Sequence, residues 1–176
     1  MIDLRVATTD DIPTIAAIHT ISWRAAYAAF FDPAYLSGPI EAERLATWTN
    51  KFSTSNPHAR GFIAEQDGLA IGFAYVVRGA DTRWGSFVDN LHVLPAAKGQ
   101  GVGPMLLDAA ARWSREAFPA AGIYLLCYEQ NLPARHFYER MGGLAAERLV
   151  TKICPDGVSH PEWRYHWPIP ERLIRA

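Results

Sequence analysis

The sequence predicts a mixed α/β sheet with the element order β-α-α-β-β-β-α-β-α-β-β. Three observations predict it. Two apolar runs flank Asp67-Gly68, a tight hairpin signal. An apolar strand ending at Leu94 enters a loop with glycine at 99, 101 and 103, and that loop opens into an amphipathic helix. A second buried strand, Ile123 to Tyr128, leads into Asn131-Leu132-Pro133, which reads as a capped helix start.

Taken in order, Leu4-Arg5-Val6-Ala7 reads as the first strand, closed by the turn-like Thr8-Thr9-Asp10-Asp11. Ile12, Ile15, Ala16, Ile18 and Ile21 then recur near helical spacing. An aromatic continuation, Trp23, Tyr27, Phe30, Phe31 and Tyr35, is broken at Pro33. A second helix spans Glu41 to Lys51, and Ser53 to Arg60 reads as loop. Phe62 to Glu65 and Leu69 to Val77 form the hairpin. A turn at Gly79 to Thr82 precedes a strand from Trp84 to Leu94. Helix follows from Met105 to Phe118, and a Gly142-Gly143 pair ends the later helix. The last strands are Leu144 to Ile153 and Trp163 to Trp167, with Pro155-Asp156-Gly157 between them. Trp163, Tyr165 and Trp167 sit at alternate positions and read as core or a dimer contact.

The glycine loop is the chemically pointed feature. Glycine lets main-chain N–H groups approach a ligand, and a helix start offers unpaired N–H groups with a partial positive charge. Such a place binds phosphate. A dinucleotide fingerprint starting at Gly99 fails, because Pro104 stands where glycine is required and no acidic residue follows at the right distance. A P-loop fails for want of Gly-Lys-Ser/Thr. Pro104 suits an early helix position, where its missing N–H leaves nothing unpaired. On spacing alone, a glycine turn with no ligand fits as well.

Lys98-Gly99-Gln100-Gly101-Val102-Gly103 resembles the Gln/Arg-x-x-Gly-x-Gly/Ala signature of the GNAT superfamily of acyl-CoA-dependent N-acetyltransferases. The preceding Leu91-x-Val93-x-Pro95 fits that family's fourth strand. The segment Asn131 to Gly143 is similar to the family's Asn-x-x-Ala-x-x-Phe-Tyr-Glu-x-x-Gly-Phe. Two departures show: Lys98 stands for Gln or Arg, and Gly143 stands for Phe. A lysine answers a diphosphate as a point charge, without the fork of arginine.

The resemblance implies one GNAT-like domain over residues 1–176, with splayed fourth and fifth strands and the pantetheine arm of acetyl-CoA between them. Main chain at Leu91, His92 and Val93 would pair with that arm. Lys98, Gly99, Gln100, Gly101, Val102, Gly103 and Pro104 would hold the diphosphate, and Asn131 and Arg135 would complete the cofactor site. Asn131 serves equally as a helix cap. The implied reaction is direct attack by a primary amine of a small molecule or peptide. A lysine-like ammonium has pKa ~10.4, so reaching its neutral form at pH 7 costs ~4.6 kcal/mol, and a general base is needed. Tyr138 matches the hydroxyl donor that meets the leaving thiolate. The usual glutamate position holds Phe87, so the base falls to Asp89, the carboxylate left in that strand. Strict alternation puts Asp89 with Phe87, Leu91 and Val93, away from Asn90 and His92, unless a bulge resets the phase. His92 and Glu129 are further base candidates. Trp23 and Tyr27, with Asp89, would shape the acceptor pocket, the aromatic faces holding an ammonium.

Composition narrows the alternatives. The chain has 176 residues, 49% hydrophobic, and a net charge of −1, which supplies no field for nucleic acid or an anionic membrane. Its N-terminus lacks the form of a signal peptide, making the cytoplasm the expected location. Two cysteines without CxxC spacing speak against metal or redox work. The family's frequent dimers extend the expectation to a homodimer. A non-catalytic CoA-binding sensor is the competing function, given some weight by Phe87 and Gly143; a purely structural domain is a third.

Overall fold

The computed structural model describes residues 1–150 and 153–174. A seven-stranded mixed sheet has the order β1-β2-β3-β4-β5-β7-β6. The strands are β1 (Ile2–Val6), β2 (Ala59–Gln66), β3 (Leu69–Asp81), β4 (Gly85–Val93), β5 (Ile123–Tyr128), β6 (Leu144–Leu149) and β7 (Glu162–Trp167). The helices are α1 (Ile12–Tyr27), α2 (Pro33–Ser37), α3 (Ile40–Ser53), α4 (Val102–Ala117) and α5 (Leu132–Arg140). None of the helices described is long and apolar enough to cross a membrane.

The sheet is covered on both sides. Ile15, Ile18 and Trp48 of α1 and α3 pack on Ile63, Phe73 and Tyr75. Leu106, Leu107, Ala110 and Trp113 of α4 pack on the opposite face with Val88, Ile123, Leu125, Tyr165 and Trp167. The β2–β3 turn is the one expected, with Asp67 at φ 52° and Gly68 at φ 76°.

Several boundaries differ from expectation: β3 runs on to Asp81 through most of the turn expected at Gly79 to Thr82, and α4 starts at Val102, three residues before Met105. The Pro33 break starts a helix: Asp32 accepts from the Ala34 amide at 2.9 Å and caps the five-residue α2. Ala59 and Arg60, read as loop, pair with Val77 and Val76. The strand expected to reach Ile153 ends at Leu149; positions 151 and 152 lie outside the described residues, and Ile153 makes an isolated bridge to Ser159.

The entry to α1 is tied by charge. Asp11 takes two bonds from the Arg5 guanidinium, at 2.7 and 2.8 Å, and one from the Thr8 amide at 2.8 Å. Arg5 is the main cause that holds the Asp11 carboxyl at about 2, below its usual range. The pair therefore stabilises the fold above pH 3.8 and loses that contribution as pH falls toward 2. Discounted for the partly exposed Arg5, Asp11→Asn is expected to cost about 1–2 kcal/mol at pH 7 by chemical denaturation.

Candidate active site

β4 and β5 run parallel but share only the pairs Ser86 with Ile123 and Phe87 with Tyr124. The rings of Phe87 and Tyr124 stack at 4.9 Å, and beyond them the strands part. A cleft of about 990 Å³ opens there. Its β4 edge, through Leu91, His92 and Val93, has no strand partner on that side among the described residues, so an extended ligand can pair with it as a strand would. Ser22 of α1 donates to the Val93 carbonyl at 3.4 Å.

The cleft runs onto the start of α4. Gly101 is the N-cap at φ 87°, and Gly99 has φ 80°. A Cβ at either would meet no atom within 4 Å, so these glycines serve conformation and open approach. Gly103 differs: its Cβ would lie 2.9 Å from the Phe137 ring, so this glycine lets α5 pack on α4. Lys98, Gly99, Gly101, Val102, Gly103 and Pro104 all line the cleft. A sixteen-residue helix directs its partial positive charge at that end.

Across the cleft, Tyr138 of α5 is buried, and no side chain or main-chain group bonds its hydroxyl among the described residues. Burial holds its pKa well above the usual value, so it stays protonated as a donor. Cys127 beside it is a buried thiol, pushed up to about 12 by desolvation.

The α1–α3 side carries its own network. Trp48 donates its indole N–H to His19 Nδ1 at 3.0 Å, which places the His19 proton on Nε2. The His19 ring lies 4.4 Å from that of His92. Burial is the first cause that depresses both imidazoles; His92, Arg44 and Lys51 add to it at His19, and Arg44 and Lys98 at His92, which falls to about 3, so both are neutral at pH 7. Among the described residues no group of three or more His, Cys, Asp or Glu is placed to hold a metal ion.

The family model described as Acetyltransferase (GNAT) family matches residues 15–143. The chain belongs to the GNAT acetyltransferase family. A protein named as a probable N-acetyltransferase of Mycobacterium tuberculosis is 31% identical over 169 residues, 93% of this chain and 92% of that one. A phosphinothricin N-acetyltransferase of Alcaligenes faecalis is 31% identical over 106 residues, 59% of this chain and 50% of its own. Among solved structures, the PaiA N-acetyltransferase of Thermoplasma acidophilum in complex with coenzyme A has the same fold. Its TM-score is 0.72 at 19% identity, covering 93% of this chain and 98% of that one.

The GNAT fold brings most of the expected residues together, with corrections. A bulge leaves Asp89 unpaired on β3, because Tyr75 faces Asn90 and Val76 faces Val88. The phase resets: Asp89 meets Lys51 of α3 on the face where His92 meets His19, while Leu91 and Val93 pack against the α4 core. Alternation had put Asp89 with Leu91 and Val93. Gln100 turns its amide to the Ala96 carbonyl at 3.0 Å and is not part of the cleft wall. Arg135 is also outside the wall, donating to Tyr165 at 3.1 Å and to the Glu129 carbonyl at 3.1 Å. Asn131 lines the cleft but accepts from the Ala134 amide at 3.3 Å, which makes it the cap of α5. Glu129 stands outside the cleft wall, gripped by Arg148 at 2.7 and 2.8 Å, and that grip lowers its pKa to about 2. Trp23 and Tyr27 do line the cleft, yet the cation over Trp23 is the chain's own Arg44, 4.2 Å from the ring centre.

Two features escaped the sequence reading. Gly143 is small because a Cβ there would lie 2.6 Å from the Trp167 indole, which fills the space from β7. Glu162, at the first position of β7, lines the cleft with neither an ion-pair nor a hydrogen-bond partner for its carboxylate among the described residues. Alternation against Trp163, Tyr165 and Trp167 hinted at its facing, but nothing local tells that β7 lies beside β5.

Proposed function

We propose that the protein transfers an acetyl group from acetyl-CoA to a primary amine of a small molecule or peptide by direct attack. One observation carries this reading: an unpaired β4 edge and, past the short 3-10 turn Pro95–Ala97, the glycine amides at the start of α4 line one cleft. The open approach at Gly99 and Gly101 fits a diphosphate, and the parted strands fit a narrow extended arm. Main chain at Leu91, His92 and Val93 would hold the arm, and the amides from Gly99 to Gly103 the phosphates, with Lys98 as a point charge. Each charge-assisted bond of this kind contributes ~1.5–3 kcal/mol. Pro104 shapes the helix start. Gln100 and Arg135 act only through the segments they brace. The name of the phosphinothricin N-acetyltransferase supports a small-molecule amine as acceptor.

When bound, acetyl-CoA supplies an activated acyl group on a thiolate leaving group. The chain's part is to orient the amine on the α1–α3 side, beside Trp23, Tyr27 and the Asp89–Lys51 pair, and to answer charge on the departing sulfur from Tyr138. With its pKa raised, Tyr138 acts as a hydrogen-bond donor that does not itself ionise. Tyr138→Phe is expected to lower kcat about 10–100-fold while the CoA dissociation constant, by calorimetry, moves less than twofold. An unchanged kcat removes Tyr138 from the mechanism. Gly143 lends nothing to the sensor reading, since Trp167 occupies the space an aromatic there would fill.

A further inference from the structure

The cleft wall contains two carboxylates among the described residues, Asp89 and Glu162. Asp89 already serves Lys51, whose ammonium also lies 5.0 Å from the Tyr75 ring centre. Glu162 has no ion-pair or hydrogen-bond partner for its carboxylate among the described residues. It faces Tyr128 on β5 and Leu149 on β6 in register. Its neighbours Trp163, Tyr165 and Trp167 pack into the α4–α5 core, so alternation turns Glu162 to the α1–α3 face, where the acceptor would enter. In register it meets Tyr128, and its charge acts on Tyr27 of α1 and on Cys127 and Tyr128 of β5. Tyr138 lines the same cleft, and two of the same groups, Tyr27 and Cys127, act on it.

We propose that Glu162, rather than Asp89, is the general base that takes the proton from the acceptor amine. The assignment rests on the transferase reading. The ammonium arrives with one proton too many; Glu162 accepts it and releases it to solvent. The nitrogen lone pair then forms the N–C bond as the C–S bond breaks. The second nitrogen proton leaves through Glu162 to solvent as well, and the departing thiolate, held by a hydrogen bond from Tyr138, takes one proton back from solvent. The products are a neutral amide, a thiol and one proton in solvent. Burial raises the Glu162 pKa, which brings it nearer the working pH of a base. Tyr27, Cys127 and Tyr128 are all held protonated by burial, so none of them competes for that proton near neutrality.

The test compares wild type, Glu162→Gln, Glu162→Asp and Asp89→Asn. Thiol release from acetyl-CoA is followed over a panel of polyamines, amino acids, aminoglycosides and peptide N-termini, from pH 5 to 9, with CoA calorimetry on each variant. Glu162→Gln is expected to lower kcat/KM ~100-fold or more and to remove the acidic limb of its pH profile, with CoA affinity unchanged. Glu162→Asp should keep the limb at an intermediate rate, and Asp89→Asn should keep it too. A Gln variant that retains both rate and limb overturns the base assignment alone, as does loss of the limb in Asp89→Asn. If Glu162→Gln loses CoA binding, Glu162→Asp decides by keeping or losing the limb. No thiol from wild type on any amine, despite CoA binding, instead brings down the transferase reading and the base with it.

Discussion

Gly101→Val should weaken CoA binding about 100-fold, measured by calorimetry on the purified protein. Gly101 caps α4 from a left-handed conformation that a β-branched residue adopts only with strain of about 1–2 kcal/mol. The space around it is open, so crowding is not the cause and the protein should still fold. What changes is the aim of the amides that follow. Misdirecting two charge-assisted bonds of ~1.5–3 kcal/mol each accounts for at least two decades of affinity. Gly103→Ala makes the contrast. There the added carbon meets Phe137, so the loss should show first as a lower melting temperature and a disturbed Tyr138, with CoA affinity less affected. If Gly101→Val binds CoA as wild type does, the phosphate assignment at this loop fails.

The second large effect is on stability. His19 and His92 are neutral in the fold because burial, Arg44, Lys51 and Lys98 all disfavour their charged forms. An unfolded histidine protonates near pH 6.5, while the folded His92 resists until about 3. The unfolded state therefore binds more protons in this window, and stability falls as pH falls from 6.5 toward 3. Each imidazole contributes up to roughly 1.4 kcal/mol of loss per pH unit, so two together remove roughly 3–4 kcal/mol between pH 6.5 and 5. Chemical denaturation at these two pH values measures it. The slope should halve in His92→Gln, which cannot titrate; an equal slope in that variant would show that the window belongs to other groups.

How much of this was legible in the sequence follows the range of the interactions involved. The conformations of the glycine loop, the Asp67-Gly68 turn and the Asn131 cap are written in neighbouring residues, and as local structure all three stand as read. The Pro33 helix was missed because Asp32-Pro33 is equally a stop and a start, and only the cap bond decides which. Arg135 and Glu129 looked functional by position, yet each is claimed by partners distant in sequence, Tyr165 and Arg148. The facing of Asp89 depends on a bulge that the pairing of β3 with β4 creates. Glu162 needs the placement of β7 beside β5, which crosses over β6 in chain order.

The parted strands have a mechanical consequence. Among the described residues, two register pairs join β4 to β5, beside a bond from the Ser86 amide to the Gly122 carbonyl. Above them the two strands part like the jaws of a clothes peg, with the Phe87–Tyr124 stack at the joint. A molecule that bonds to both jaws closes the gap in the ladder. Its grip then adds rigidity to the whole sheet, and amides on both sides of the opening should exchange with solvent more slowly once it is seated.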